Sequence, residues 1–241
     1  MKKLLLLLMF NLTLAQGQTL YAHSWYVTDD KLNPITAHKK DEVRSIASLT
    51  KLITVMVAID DGQADPILVE DAMVRSSNVA ATLLCKKYSK GYRACIAAMN
   101  TKVQSLGTTK TVLVEPTGLS HKNKSTAHDI ALIVNAASRY PAIVAASHRR
   151  LLHRGKLTFK NTNPTVDENT VVSKTGWTMA SGGCIAVMHN HRIYVILGSR
   201  DTRTRVNDLL ELRARYNRPA IEYVSDNDNV PEVQWTNLWG P

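Results

Sequence analysis

Cysteine is scarce in this chain, with three residues in 241: Cys85, Cys95 and Cys184. So few cysteines exclude a small disulfide-dense scaffold and suit an exported protein with few disulfides. Cys85 and Cys95 lie in consecutive helical patterns separated by a short turn, and they could pair. The sequence does not supply the geometry that a disulfide needs, so a disulfide and two buried thiols both stay open. Cys184 is left over in an apolar stretch.

Aromatic residues make up only 6% of the chain, and basic residues outnumber acidic ones by 30 to 20. The formal net charge of +10 suits an anionic partner, which could be nucleic acid, a membrane surface or a cell-wall polymer. No DNA- or RNA-binding motif accompanies the charge, and this absence favours a solvated basic surface over a nucleic-acid partner. The hydrophobic content of 44% is ordinary for one globular domain with a substantial core.

The longest apolar run lies at the N-terminus. Lys2 and Lys3 precede the unbroken apolar residues 4–10, and small residues follow at 15–17. This order predicts a secretory signal peptide over residues 1–17, which is too short to be a stable membrane span. Its removal takes two positive charges from the net charge of +10 and leaves +8. We therefore expect a periplasmic or secreted mature protein.

Short apolar runs predict five strands, at residues 25–28, 34–38, 171–175, 184–188 and 193–197. Helical patterns are found at residues 48–60, 71–88, 92–106, 126–140 and 203–216. The stretch 148–160 is basic and irregular. This order favours an α+β fold in which the N-terminal hairpin and the C-terminal strands form one antiparallel sheet, packed with a helical cluster. We expect one domain over residues 18–217 and a polar tail over residues 218–241.

A serine and a lysine three residues apart begin the first predicted helix. Ser48 and Lys51 share one face of that helix, because side chains at i and i+3 are neighbours. The surrounding residues 46–53 are mostly apolar, so we expect Lys51 to be buried and driven toward its neutral form. A neutral amine beside a hydroxyl can act as the general base for a nucleophile. Chance produces roughly one Ser-x-x-Lys in a chain of this size, and no other serine here has a lysine three residues on.

Two more short motifs follow in order. Ser76-Ser77-Asn78 lies in a predicted helical segment, and Lys174-Thr175-Gly176 ends a predicted strand. The three motifs in this order resemble the signature of β-lactamases and penicillin-binding proteins. Residues 225–227 read Ser-Asp-Asn, which is the usual spelling of the second motif in this signature. They follow the Lys-Thr-Gly motif and lie in the polar tail, so we reject them and keep Ser76-Ser77-Asn78.

Further stretches resemble the low-molecular-mass penicillin-binding proteins, a family of serine D-alanyl-D-alanine endopeptidases and carboxypeptidases. The similarity is closest to the small periplasmic endopeptidases. The matching stretches are residues 44–54, 98–100, 115–120, 123–126 and 174–184, within a resemblance that covers roughly residues 23–215. It implies a β-lactamase/DD-peptidase-like fold, hydrolysis of peptidoglycan peptides, binding of β-lactams, and no cofactor or metal.

The resemblance implies a catalytic role for four residues. Ser48 would attack the D-alanine carbonyl carbon and form an acyl-enzyme, and Lys51 would take its proton. Ser76 would pass a proton to the leaving amine. The backbone N–H groups of Ser48 and Trp177 would form an oxyanion hole.

The resemblance also implies a substrate-binding group. Asn78 would bind the substrate backbone, while Lys174, Thr175 and Gly176 would hold its carboxylate. The charge of Lys174 would help to keep Lys51 neutral, because like charges disfavour each other.

Two other functions stay open. A class A-like β-lactamase would share the first motifs, but it also needs a glutamate that activates the deacylating water. Glu115 resembles that residue, whereas Leu119 stands where an asparagine partner would be expected. A non-catalytic cell-wall or β-lactam-binding module is favoured weakly by the short segment 60–71 and opposed by the intact motifs. His189 and His191 alternate near a hairpin turn and are predicted to be turn residues rather than metal ligands.

Overall fold

The computed structural model describes residues 19–216. The predicted signal peptide, the polar tail and the rejected stretch 225–227 lie outside these residues. The elements, in chain order, are β1 (Ser24–Asp29), β2 (Pro34–His38), β3 (Arg44–Ser45), a 3₁₀ turn (Ala47–Leu49), α1 (Thr50–Asp60), α2 (Pro66–Met73), α3 (Asn78–Lys86), α4 (Tyr92–Ser105), β4 (Lys124–Ser125), α5 (Ala127–Ala137), α6 (Pro141–Ser147), β5 (Leu151–Arg154), β6 (Leu157–Lys160), β7 (Thr170–Thr178), β8 (Gly182–His189), β9 (Arg192–Ser199) and α7 (Thr204–Tyr216).

Five strands form one antiparallel sheet in the order β2-β1-β9-β8-β7. The N-terminal hairpin joins the C-terminal strands through β1 and β9, where Tyr26 lies opposite Val195. Two small pairs lie outside this sheet: β3 and β4 pair through two residues each, and β5 and β6 form a hairpin. The predicted α+β class is confirmed, with the N-terminal hairpin and the C-terminal strands in one sheet.

Side-chain alternation gives the sheet two apolar faces. In β8, Ile185 and Val187 pack in a small cluster with Leu209 of α7. Ala186 and Met188 point the other way and belong to the main core, which the other helices cover. The sheet is therefore a middle layer, and β7 at its edge borders the functional site.

Helix α1 runs through the main core. Its residues from Thr50 to Ala58 are all buried, because α2, α3, α4 and α5 all contact it. A helix that is covered on every side is apolar all round instead of along one stripe. The first turn of this rigid, buried helix carries Lys51, with Ser48 just before it.

The helix predicted over residues 71–88 is wrong, because the structure has two helices there. Asp65 caps α2, its carboxylate accepting a hydrogen bond from the N–H of Ile67, and Pro66 takes the first helical position. Ser77 caps α3, its hydroxyl accepting from the N–H of Ala80 at 3.1 Å. Ser76 lies in the break with a left-handed φ of 58°. The Ser-Ser-Asn motif is thus a helix-start turn.

The stretch 148–160 is also more regular than the sequence suggests. Its residues from Leu151 onward form the hairpin β5–β6, and helix α6 precedes it. The cysteine question is resolved: Cys85 and Cys95 form a disulfide with their Cα atoms 5.4 Å apart, and Cys184 is a buried free thiol.

Between residues 19 and 216, no single helix is long and apolar enough to cross a membrane. Only α5 and α6 taken together pass that test, and the chain bends by 108° between them. Both helices bury apolar side chains in the protein.

Candidate active site

Ser48 lies in the 3₁₀ turn that leads into α1, half-buried at the surface of the core. The residue before it, Ala47, has a left-handed φ of 45°, which is unfavourable for a residue with a Cβ atom. Strained backbone of this kind persists only where the surroundings enforce it, and it concentrates at functional sites. The turn presents the Ser48 hydroxyl at the edge of the helix, next to the following turn.

Lys51 is fully buried and contacts three groups with its Nζ atom. It donates to the hydroxyl of Ser48 at 2.8 Å, to Oδ1 of Asn78 at 2.7 Å and to the backbone carbonyl of Thr117 at 2.6 Å. Burial lowers the pKa of Lys51 from 10.5 to about 7, although the charge of Glu115 opposes part of the shift. A large share of Lys51 is therefore neutral near pH 7.

The three partners of Lys51 fix the direction of its lone pair. A carbonyl and an amide oxygen can only accept hydrogen bonds, whereas a hydroxyl can donate or accept. When Lys51 is neutral it has two N–H groups, and these can go to Asn78 and Thr117. Its lone pair then faces Ser48, whose O–H donates to it. This is the arrangement that a general base needs before it removes the serine proton.

The Ser-Ser-Asn motif and the Lys-Thr-Gly motif are joined by a hydrogen bond between Ser76 and Lys174. Ser76 accepts a hydrogen bond at 2.8 Å from Nζ of Lys174, which also donates to the carbonyl of Thr175 at 3.0 Å. Lys174 is fully buried without an acidic partner in the described part of the chain. Burial lowers the pKa of Lys174 well below its ordinary value, and the charges of Lys51 and then Arg205 lower it further.

Strand β7 passes directly beside the nucleophile. A Cβ atom on Gly176 would lie 2.8 Å from the backbone nitrogen of Ser48, so only glycine allows this approach. The carbonyl of Gly176 accepts from the guanidinium of Arg205 at 2.7 Å. Trp177 follows, half-exposed at the rim. The close approach puts the N–H of Ser48 beside β7. The same strand carries Trp177, whose N–H is the predicted second donor of the oxyanion hole.

Comparison with known protein families shows which family has this sequence. Residues 67–200, more than half of the chain, match the family described as D-alanyl-D-alanine carboxypeptidase. The chain belongs to this family. A D-alanyl-D-alanine endopeptidase of Pseudomonas aeruginosa is 31% identical, over 70% of this chain and 67% of that protein. The endopeptidase of Escherichia coli is 34% identical over 64% of this chain, which spans 62% of that relative's length.

Solved structures share the fold of this D-alanyl-D-alanine carboxypeptidase family member. A DD-transpeptidase of Streptomyces superposes with a TM-score of 0.75 at 19% identity, covering 82% of this chain and 97% of the other. A penicillin-binding protein of Listeria monocytogenes, solved with cefotaxime bound, superposes with a TM-score of 0.73 at 21% identity, with coverages of 82% and 97%. These similarities confirm the predicted DD-peptidase-like fold.

The structure brings Ser48, Lys51 and Asn78 together around one amine, and Ser76 and Lys174 around the other. Two details differ from the sequence-based expectation. Oδ1 of Asn78 accepts a hydrogen bond from Lys51 as well as facing the site, so the side chain serves the base in addition to the expected substrate contact. Burial lowers the pKa of Lys51, and the contribution expected from the charge of Lys174 is not found.

The loop of residues 115–123 supplies partners that we did not assign from the sequence. The carboxylate of Glu115 accepts from the backbone N–H of Thr117 at 2.7 Å and of Gly118 at 2.6 Å. It also accepts from the side-chain amide of Asn123 at 2.9 Å. Glu115 thus folds the loop so that the Thr117 carbonyl reaches Lys51. The sequence marked this loop only through the resemblance of residues 115–120 and 123–126 to the family, because a backbone acceptor has no residue type of its own.

The two histidines near the β8–β9 turn differ from each other. His191 is exposed in the turn, as predicted, and lies 2.7 Å from a carboxylate oxygen of Asp30. His189 ends β8 and is buried, so its prediction as a turn residue is wrong. Its Nε2 atom lies 3.0 Å from Asp167 and also contacts Arg213. Within residues 19–216, no group of three or more His, Cys, Asp or Glu side chains is placed to hold a metal ion.

Proposed function

We propose that this protein is a serine DD-peptidase that hydrolyses D-alanyl peptide bonds in peptidoglycan through an acyl-enzyme on Ser48. The observation that carries the proposal is the buried amine of Lys51, 2.8 Å from the Ser48 hydroxyl, with a pKa lowered to about 7. Such an amine can take the serine proton near neutral pH without a histidine. Family membership supports the same reaction class, and the relatives named above are D-alanyl-D-alanine endopeptidases.

In acylation, Ser48 Oγ bonds to the carbonyl carbon of the D-alanyl residue while its proton passes to Lys51. The carbonyl oxygen gains negative charge, and the N–H groups of Ser48 and Trp177 would donate to it. The C–N bond then breaks. The leaving amine takes up the proton that Lys51 received, with the hydroxyl of Ser76 passing it on. In deacylation, water gives its proton to Lys51 and the proton returns to Ser48.

Two buried cations, Lys174 and Arg205, form the site that we propose for the substrate carboxylate. Lys174 of β7 is buried, as is Arg205 of α7, which donates to the carbonyl of Gly176 in β7. No carboxylate pairs with either cation in the described part of the chain. An arriving carboxylate would favour the charged form of Lys174 and accept hydrogen bonds from it and from Thr175. A β-lactam, whose ring carries a carboxylate beside an acylating carbonyl, would use the same groups and is the second ligand that we propose.

A β-lactamase function is disfavoured by the position of Glu115. Its two carboxylate oxygens are taken up by the loop, accepting from Thr117, Gly118, Ser120 and Asn123. A carboxylate held in this way has little capacity left to activate a deacylating water. We expect nitrocefin to be turned over once per active site, with no sustained steady-state hydrolysis. Continued turnover would identify a β-lactamase instead.

Fluorescent penicillin should label the wild-type protein covalently, and Ser48→Ala should abolish the label without changing the melting temperature. Ser105→Ala, an exposed serine on α4, is the matched control and should label normally. Peptide mapping should locate the label on Ser48. Labelling that survives in Ser48→Ala, or that maps to Ser76, would show that the nucleophile is misassigned.

Digestion of purified muropeptides by the wild-type protein, followed by chromatography, would then show which of two bonds is cleaved: the bond to a terminal D-alanine or the bond in a cross-link. Release of free D-alanine indicates carboxypeptidase activity, and conversion of cross-linked dimers to monomers indicates endopeptidase activity. A protein that takes the penicillin label but changes neither substrate would be a binding module. The names of the relatives support cleavage of cross-links.

The location that we propose is the periplasm or the exterior of the cell, on the basis of the N-terminal sequence. The mature protein should begin just after Ala15 or Gly17, because the small residues follow the charged and apolar segments in the order that signal peptidase requires. Intact mass spectrometry of protein recovered from the periplasm or the medium measures this directly. A mass that still includes Met1 would contradict the proposal.

A further inference from the structure

The hairpin β5–β6 lies in a part of the chain that has no acidic residue. Between residues 141 and 166 there are five lysines and arginines and two histidines, but no aspartate or glutamate. The proposed catalytic machinery uses none of them. The five cations are Arg149, Arg150, Arg154, Lys156 and Lys160.

Two of these cations have carboxylate partners elsewhere. Arg149 pairs with Glu70 at 3.1 Å, and Arg154 pairs with Glu70 at 2.8 Å and Asp71 at 3.1 Å. Arg150 donates to a backbone carbonyl. Lys156 and Lys160 are different, because both are exposed and neither makes a side-chain hydrogen bond or ion pair within residues 19–216. The hairpin therefore presents two lysines whose charge is not neutralised by the protein.

The hairpin is fixed at the rim of the active site by three contacts. Thr162, two residues after β6, donates from its backbone N–H to the carbonyl of Val74 at 3.0 Å. Its hydroxyl accepts from Thr175 at 2.7 Å. The guanidinium of Arg75 lies 4.1 Å from the ring centre of Phe159 in β6. The hairpin thus borders both the Ser76 turn and the Lys174 strand.

The register of the hairpin separates its charged and apolar groups. Leu151 lies opposite Lys160, and His153 lies opposite Thr158, so these four share the outward face. The other exposed leucine, Leu157, pairs with Arg154 on the opposite face. The two exposed leucines therefore do not form one apolar patch of the kind that enters a lipid surface.

We propose that the outward face of β5–β6, together with Lys156, is a second binding surface that holds carboxylates of the substrate polymer next to the peptide in the active site. The proposal rests on the proposed peptidase function. Peptidoglycan is a polymer of many stem peptides, and every uncross-linked stem ends in a carboxylate. A rigid cationic surface at the rim would raise the local concentration of such a polymer and orient it. A short soluble peptide has few carboxylates beyond the one that Lys174 would hold, so it would gain little from this surface.

The test compares Lys156→Glu/Lys160→Glu with a control that reverses two exposed lysines elsewhere, Lys31→Glu/Lys86→Glu. Lys31 lies in the β1–β2 turn at the far edge of the sheet, and Lys86 at the end of α3. All proteins also carry Ser48→Ala in one arm, in which co-sedimentation with intact peptidoglycan sacculi measures binding without catalysis. We expect the hairpin variant to bind about tenfold more weakly, while the control changes less than about twofold. The difference should shrink in high salt.

A second arm, with Ser48 intact, measures cleavage. The hairpin variant should lose about tenfold in kcat/KM on sacculi but keep its rate on soluble muropeptides and its penicillin labelling. Equal loss on both substrates, equal loss in both lysine variants, or unchanged binding to sacculi would overturn the proposal. Vesicles of anionic phospholipid provide one more control. If the wild-type protein binds them and the hairpin variant does not, the partner of the hairpin is a membrane, and the proposal is overturned. If wild-type protein binds sacculi through the hairpin but cleaves nothing, the peptidase proposal fails and the binding surface stands.

Discussion

Lys51→Met should lower the rate of acylation by penicillin by about a thousandfold, with little change in the folded structure. Methionine fits a buried, unbranched site and removes only the amine. Without the amine, the Ser48 hydroxyl has no hydrogen-bonded side chain within residues 19–216 that could take its proton, because Lys51 is its partner there. Stopped-flow acylation kinetics measure the loss, and the melting temperature checks the fold. A rate within tenfold of wild type would contradict the role of Lys51 as the base.

The pH dependence of the wild-type rate tests the same role. The base must be neutral, and burial lowers the pKa of Lys51 to about 7. Acylation should therefore fall about tenfold per pH unit below pH 7, as Lys51 takes up a proton, and should rise to a plateau above it. A second fall is expected at alkaline pH when Lys174 loses its charge. Because the pKa of Lys174 is itself lowered, that fall should begin below the ordinary pKa of lysine. The two limbs belong to a coupled pair of lysines.

Arginine at the two lysine positions separates their roles. Lys51→Arg should be nearly inactive, because a guanidinium cannot be deprotonated in a protein. Lys174→Arg keeps the positive charge that a substrate carboxylate needs, although the larger side chain must fit a fully buried site. We expect Lys174→Arg to acylate faster than Lys51→Arg when both are normalised to folded protein. The reverse order would overturn the assignment of base and anchor.

The sequence predicts the parts of this site that depend on local spacing. Ser48 and Lys51 meet because they lie three residues apart at the start of one helix. The sheet could be predicted because β8 and β9 carry apolar runs on either side of a short polar turn. Lys174 could be placed on a strand, but the prediction that the strand ends at the Lys-Thr-Gly motif is wrong, because β7 continues to Thr178. The complete burial of Lys174 could not be predicted either, since a lysine is usually exposed.

The parts that could not be predicted depend on tertiary contacts. The Thr117 carbonyl holds Lys51, and no residue type marks a backbone acceptor in advance. The break at Ser76 falls inside a run of helix-compatible residues, and only the contacts of neighbouring loops and the cap at Ser77 show that the helix restarts there. Arg205 is a basic residue in an amphipathic helix, where exposure is the usual expectation, yet it is buried against the carbonyl of Gly176.

Gly118→Ala should abolish penicillin labelling and destabilise the fold by about 3 kcal/mol or more. Gly118 has a left-handed φ of 84°, and a Cβ atom there would overlap the carbonyl of Ala47 and lie 2.8 Å from the nitrogen of Ser48. The overlapped atoms are backbone, so they can yield only if the turn that carries Ser48 moves. Displacement of a nucleophile by about 1 Å costs roughly a hundredfold in rate. Labelling kinetics and urea unfolding measure the two effects.

Gly107→Ala is the matched control for this prediction. Gly107 has nearly the same φ, 83°, but a Cβ atom there would meet nothing within 4 Å. The control carries the backbone cost of a left-handed alanine, about 1 to 2 kcal/mol, without the steric overlap. It should therefore label at the wild-type rate after correction for folded protein, while Gly118→Ala does not. Equal destabilisation of the two variants, with normal labelling in both, would show that the loop of Gly118 does not support the turn of Ser48. A selective loss at Gly118 would show that the geometry of the nucleophile depends on the close packing of two backbone segments, in addition to the side chains of the three motifs.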